Sequence, residues 1–474
     1  MRKKLTLFSV VILVLVFSIS AYAETTVVTI WNWSQEQTEF FNEMATEFEK
    51  ENPDIDVEFN TIVLDQYRRT LPMALRSESG PDLFWIEPEQ DPLRFVNNGW
   101  LASFDEYVDD EFLSQFDESL LVEGKMYYND ELYSLPYYNP KVMLNGLMFY
   151  NIDVFEKAGL DPETDIPETY SEFRETLKHI TEAGNGEYYG IVWGGKPGQE
   201  LHRVTNGFFP TGTVASADAR YGYEGFDYRD GKFKADNENH MNVYNLLQGI
   251  VDDGSITPGW SSMDKGTARA IFAQNKAAFY FDGEWMKNVW AGMGFPDLNF
   301  DIAPVPVPDD GRKGYRVMNI PHGQVHVSAF TEDMEKTMKV YKWLHGVDFQ
   351  TELLKRKLAF PANMKVDYDK HITDDYRKSI LKIAEDYVVT APEPIYNNVN
   401  AGSVTWPSVN PGLNDIIASA LSGDVNYKEA AAEWNQKMTE ELGRNIQKAR
   451  DEGNDVSIED FMFPDWSPLE DYVK

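Results

Sequence analysis

An α/β fold in at least two lobes is what this sequence predicts. Three observations carry it. Residues 25–86 read as a β-α-β-α-β succession, strand patterns alternate with capped helices beyond them, and 474 residues with 42% apolar and 14% aromatic content can bury more than one core. That apolar content excludes disorder as the explanation of the chain, and there is neither a low-complexity linker nor a short internal repeat.

The elements follow in order. Residues 25–31, T-T-V-V-T-I-W, form a continuous apolar strand. After Asn32-Trp33, Ser34 and Gln37 have the spacing of a capping box, and Phe40, Phe41, Met44, Ala45 and Phe48 make one buried helical face that stops before Asn52-Pro53. Ile55, Val57 and Phe59 alternate as a second strand. A helix over 65–77 is broken at Gly80-Pro81, and a third strand spans 82–86. Such crossovers make a parallel sheet whose post-strand loops gather at one edge. These loops carry Trp33, Gln35 and Glu36, then Thr61 to Val63, then Glu87 to Gln90.

A short helix over 91–97 closes at Gly99, and 125–135 reads as a hairpin turning at Asn129-Asp130. Residues 143–150 form a strand, and Asn151 caps a helix ending at Gly159. Thr169 and Glu172 form another capping box, opening a helix with Phe173, Leu177 and Ile180 inward. Residues 189–193 form a strand, 226–233 a hairpin, and 240–251 and 264–273 helices. The stretch Ala270 to Met286 then passes from a helix end into a buried strand at 277–281, breaks at Asp282-Gly283 and resumes with Glu284-Trp285. Strands at 301–307 and 324–328 precede helices at about 331–345, 346–357, 374–388, 410–421 and 427–450, and a loop at 391–412 carries Trp406.

The first residues read as an export signal: Arg2, Lys3 and Lys4, an apolar run from Leu5 to Ile19, and a small-x-small site at Ala21-Tyr22-Ala23. Residues 1–23 are therefore expected to be a signal peptide. With no cysteine, the chain has neither disulfides nor a lipid-bearing cysteine, which points to a free protein in a periplasm or the medium. Formal net charge is -35, from 43 basic and 78 acidic residues, which disfavours nucleic acid and anionic membrane surfaces as partners.

There is no phosphate-binding glycine loop and no nucleophile elbow. His322 and His326 fall four apart in a strand-like pattern, too far for one metal, so neither metal nor cofactor is expected. Asp282 and Glu284 sit in one turn, which ill suits a glycosidase pair flanking a bond from two sides. What remains is a set of loop aromatics and carboxylates: Trp33, Glu87, Tyr137, Tyr138, Trp193, Trp260, Asp282, Trp285 and Trp406. This set suits sugars, whose C–H faces pack on indoles and whose hydroxyls donate to carboxylates.

Four stretches then carry a resemblance. They are W-N-W-S followed by a helix ending F-E-K-E-N-P-D-I-D-V; P-D-L-F-W-I at 81–86; L-P-Y-Y with M-F-Y-N-I-D-V-F-E-K-A-G-L-D-P and P-E-T-Y-S-E-F between 135 and 173; and A-I-F-A-Q-N-K-A-A-F-Y-F-D-G-E-W. In this order the chain resembles the family-1 extracellular solute-binding proteins, the maltose-binding-protein-like sugar receptors of ABC importers. Asn275 and Phe279 depart from the usual Gly and Met. The resemblance implies a two-lobed periplasmic-binding-protein fold with a ligand cleft between lobes joined by three crossings, near Tyr138, Asp282 to Trp285, and Ser328. Laid on this chain, it implies a first lobe of 24–138 plus 286–328 and a second of 139–285 plus 329–474. It further implies a non-enzymatic, monomeric receptor that takes a carbohydrate and delivers it to a membrane permease. The expected ligand-binding residues are Trp33, Gln35, Glu87, Tyr138, Asn139, Trp193, Asp282, Glu284, Trp285, His322 and Trp406. A secreted carbohydrate-active enzyme and a receptor for another solute, such as a peptide, are the alternatives.

Overall fold

Val28 and Ile30 are wholly buried in β1, Thr26–Asn32, the strand on which the first sheet is built. β2, Ile55–Thr61, runs parallel to it with Val28 beside Val57, and β3, Leu83–Trp85, runs parallel on its other side with Ile30 beside Leu83. The helices Thr38–Glu51 and Leu64–Arg76 supply the two crossovers. The computed structural model describes residues 25–87, 90, 92–196, 201–212, 225–318 and 321–472. The expected signal peptide lies outside the described residues, as do Pro88 and Glu89 of the third loop and the side chain of Glu36.

One local expectation fails. Ser34 makes no side-chain cap. Its backbone N–H donates instead to the Asn32 side-chain oxygen at 3.0 Å, a single 3-10 turn covers Gln35–Gln37, and the helix begins at Thr38. The short asparagine side chain competes for the turn before the helix starts.

The hairpin of β4, Tyr127–Tyr128, and β5, Glu131–Leu132, turns through Asn129 and Asp130, both at positive φ, as a type I′ turn requires. The chain then enters the second sheet with β6, Asn145–Asn151. Asn151 accepts from the Val154 N–H, and the Thr169–Glu172 capping box forms in full. β7 is Tyr189–Ile191, and β8, Phe226–Asp227, pairs with β9, Lys232–Phe233, in a small hairpin. β10, Ala277–Gly283, is buried along its whole length between β6, antiparallel to it, and β7, parallel to it. A strand covered on both faces needs this near-continuous apolar run. β11, Phe300–Ala303, closes the other edge against β6. β12, Arg316–Met318, pairs in parallel with a late strand. β13, Val325–Val327, returns to the first sheet, antiparallel to β3, and β14, Val388–Thr390, is the partner of β12. The two main sheets have the orders β13-β3-β1-β2 and β11-β6-β10-β7.

The packing corrects the expected lobe boundaries at 286 and 329. The helix Met286–Gly292 places Trp290 against Phe149 and Phe272, with ring centroids 5.1 and 5.0 Å away, and β11 bonds to β6, so this segment belongs with the second sheet. The helices Met334–His345 and Val347–Lys355 bury Tyr341, Phe349 and Leu353 in the core of the first sheet, where Phe349 meets Phe40 at 5.2 Å. The chain therefore passes from first to second sheet just after Tyr138, returns between β12 and β13, and crosses again after Phe360. Neither Asp282 to Trp285 nor Ser328 is a crossing. The first and third crossings lie side by side: the Asn139 N–H donates to the Phe360 carbonyl at 2.9 Å and the Ala362 N–H to that of Tyr137 at 3.1 Å. Short paired connections are suited to act as hinges, since a few residues absorb the rotation.

Candidate functional site

β1, β2 and β3 all end at one edge of the first sheet, so their following loops collect there. β13 enters from the same edge, with the Ile86 N–H donating to the Gln324 carbonyl at 3.1 Å. In the second sheet, the start of β6 and the end of β10 share an edge, since Asn145 pairs with Gly283. The crossing after Tyr138 leads directly into Asn145, which brings these two edges to the same junction.

On the first edge, Trp33 is half-buried, edge-on to Tyr67 and to Trp85, both at 5.2 Å. The Tyr67 hydroxyl donates to the Trp85 carbonyl at 2.6 Å, which fixes the stack to the end of β3. Tyr138 is half-buried and edge-on to Tyr137 at 4.7 Å and Trp85 at 6.5 Å. Gln35 is exposed and lines an open depression of about 630 Å³ with Trp31, Thr38 and residues 59–62. The loop aromatics and Gln35 thus stand where a ligand could reach them.

Glu87 and His322 are built into the wall beside them. Glu87 is 5% exposed and takes the Arg68 guanidinium at 2.6 and 2.8 Å. The His322 ring nitrogens face the carbonyls of Gly323 at 2.7 Å and Glu87 at 3.0 Å. Burial holds the His322 pKa down at about 4 although both carbonyls favour the protonated ring. His322 precedes β13 rather than lying on it, and its ring comes within 5.6 Å of His326, closer than strand spacing predicts. Among the described residues no group of His, Asp and Glu side chains is arranged to hold a metal ion. Asn139, expected to contact ligand, uses its side-chain oxygen to cap the Lys141 N–H at 3.0 Å, holding the first crossing.

On the second edge Asp282 is the centre, but not as a group offered to ligand. It is wholly buried. Arg269 donates to it at 2.9 and 2.8 Å, the Tyr280 hydroxyl at 2.8 Å and the Gly283 N–H at 2.9 Å, with the Arg203 guanidinium at 3.6 Å. A buried carboxylate needs such partners to stay ionised, so the expectation that it takes sugar hydroxyls is corrected. Arg203 also donates to the Asn145 side chain and lies over the Trp285 indole, 5.0 Å from its centroid. Trp285 is half-buried, at the start of the helix Met286–Gly292. Its six-membered ring is pressed so close to Gly283 that a β-carbon there would fall 2.2 Å from it. Glu284 is half-buried, and its carbonyl accepts from the Tyr376 hydroxyl at 2.7 Å. Arg316 spans from the other side, donating to the carbonyls of Asn145, Gly146 and Asn206.

Two tryptophans stand elsewhere. Trp193 is 1% exposed, edge-on to Trp260 at 5.8 Å, with Gly195 tight against the Trp260 ring. Trp406 is half-buried against Phe226 at 5.2 Å and Phe233 at 5.9 Å, in the core cluster of the second sheet. Trp193 is accordingly a packing residue in this conformation. The arginines escaped the sequence reading. Arg203 lies on the helix Leu201–Gly212, which is not among the helices predicted from the sequence. The spacing of Leu201, Val204 and Phe208 was the available signal.

Known proteins share this architecture. The model of the bacterial extracellular solute-binding protein family matches residues 32–346. The maltotriose-binding protein of Pyrococcus abyssi is 24% identical over 432 residues, 89% of this chain and 82% of that one. The arabinooligosaccharide-binding protein of Bacillus subtilis is 24% identical over 306 residues, 60% of each chain. The solved structure of the sugar-binding protein MalE from Xanthomonas citri superposes with a TM-score of 0.65 at 17% identity, covering 90% of this chain and 100% of that one. Two sheets joined by three crossings, with the family model matched over residues 32–346, place this chain in the family of bacterial extracellular solute-binding proteins.

Proposed function

We propose that this receptor captures an oligosaccharide between its two lobes and delivers it, unchanged, to the membrane permease of an ABC importer. The reading rests on two aromatic edges that the paired crossings bring to one junction: Trp33 and Tyr138 on the first lobe, Trp285 beside Arg203 on the second. Sugars stack their C–H faces on such rings. Gln35 and Glu284 are the polar groups we assign to sugar hydroxyls. Glu87, Asp282 and His322 set the wall behind them. The similarity to a maltotriose-binding and an arabinooligosaccharide-binding protein supports a saccharide of several units. Ligand contacts to both lobes favour the closed arrangement, so closure is driven by differential affinity. The protein works as a monomer outside the cytoplasm, after removal of residues 1–23, and performs no catalysis.

Isothermal titration against maltotriose, arabino-oligosaccharides and short peptides tests this. One saccharide should bind with 1:1 stoichiometry and be recovered intact by chromatography. Binding of peptides alone, or recovery of hydrolysed sugar, would overturn the reading.

A further inference from the structure

A further arginine of the second lobe, Arg312, shares a cavity with the start of β6. Arg312, in the loop between β11 and β12, is half-buried beside Tyr315 and Tyr387, each ring centroid 5.0 Å from the guanidinium carbon and the two rings 6.4 Å from each other. The rings attract the cation but accept none of its five N–H donors as a hydrogen-bonded acceptor would. Among the described residues no hydrogen-bond acceptor and no carboxylate meets them. The two acids of the same loop are committed elsewhere. Asp309 accepts from the Ser171 N–H at 3.1 Å and hydroxyl at 2.8 Å, and Asp310 pairs with Lys313 at 2.7 Å. Burial lowers the Arg312 pKa, and the groups opposing that shift are the phenols of Tyr315, Tyr387 and Tyr170. A partly desolvated cation without a counter-charge is costly.

Arg312 lines a cavity of about 30 Å³ together with Arg316, Thr211, Pro304, Ile383 and Tyr387. Two guanidinium groups and no acid border it. A void needs roughly 10–15 Å³ to hold one water, so this one has room for a monatomic anion and too little for a sugar or a nucleotide. The lining comes from separated parts of the chain: the start of β6, the end of the helix Leu201–Gly212, the stretch from the end of β11 to the start of β12, and the end of the helix Asp375–Tyr387.

We infer that Arg312 binds a chloride-sized inorganic anion in this cavity, where Arg316, held by the carbonyls of Asn145, Gly146 and Asn206, adds positive charge, and that the anion ties these parts of the second lobe together. The cavity borders Gly146 and Leu147 at the start of β6, behind the second edge of the cleft.

Thermal unfolding of the full chain in sodium chloride and in sodium gluconate at equal ionic strength provides the test, with Arg312→Gln as the variant. Gluconate is too large for the cavity. The wild-type midpoint should be roughly 2–4 °C higher in chloride, and the variant should show no difference between the two salts. Equal wild-type midpoints in both salts would overturn the inference, and so would a chloride effect that persists in the variant. Should Arg312→Gln not fold, crystals of the wild-type protein soaked in bromide decide the matter. An anomalous peak within hydrogen-bond distance of Arg312 supports the site, and its absence there refutes it.

Discussion

The guanidinium of Arg203 lies 5.0 Å from the centre of the Trp285 indole while reaching the Asp282 carboxylate at 3.6 Å. One arginine therefore couples the buried acid at the end of β10 to the aromatic ring that follows it. The ring's position is set from below by Gly283 and alongside by Arg203. It is held before any ligand arrives, and a pre-set contact loses less entropy on binding.

Trp285→Ala should weaken saccharide affinity at least about tenfold, roughly 1.4 kcal/mol, while leaving the circular dichroism spectrum of the fold unchanged. Titration calorimetry reads this. Unchanged affinity would remove Trp285 from the site.

Gly283→Ala tests the same ring without touching it. The added methyl would stand 2.2 Å from the indole and must push it aside. Affinity should fall as in Trp285→Ala, and the double variant should lose no more than the worse single one, since both act through one group. Additive losses would mean that Gly283 acts by another route.

Asp282→Asn leaves Arg269 and Arg203, with side chains 15% and 14% exposed, without their shared counter-charge. Removing one partner of a buried ion pair costs on the order of 3–5 kcal/mol. Urea unfolding should show a loss of that size. A loss below about 1 kcal/mol would mean the site is well solvated, as exposed pairs are.

Acid should destabilise the fold through its buried histidines. Burial lowers the pKa of His240 to about 3 and of His322 and His345 to about 4, and lowers His326 as well. A histidine that resists protonation when folded stabilises the protein above its unfolded pKa, near 6.5, and loses that contribution as pH falls from there toward 4. His240, His322 and His345 each contribute about 1.4 kcal/mol of loss at pH 5.5. Relief of the acidic net charge opposes the trend, so the informative comparison is with His345→Gln, which should flatten the decline in unfolding midpoint between pH 7.5 and 5.5. Parallel wild-type and variant profiles would contradict this role for His345.

Local chemistry was legible in the sequence, and long-range pairing was not. The crossovers of β1 to β3, the Thr169–Glu172 capping box and the Asn129-Asp130 turn are encoded within a few residues, and each forms as read. The Ser34 cap is equally local, but Asn32 two residues earlier takes the same turn. Lobe membership of 286–303 and of the helices after Ser328 depends on which sheet a strand or helix finally meets, and no local pattern carries that. The same limit governed the site. Trp33 and Trp285 announce themselves as loop aromatics. Asp282 looked available because Arg269 and Arg203, 13 and 79 positions away, are invisible as partners until the chain is folded.

Native mass spectrometry of the full exported protein, incubated with maltotriose and a panel of other oligosaccharides, tests the central claim most directly. A single adduct of one intact saccharide per chain, released unchanged on denaturation, is the predicted result. Failure of every saccharide to form an adduct, with a peptide or other solute bound instead, would contradict the assignment of the cleft to a sugar.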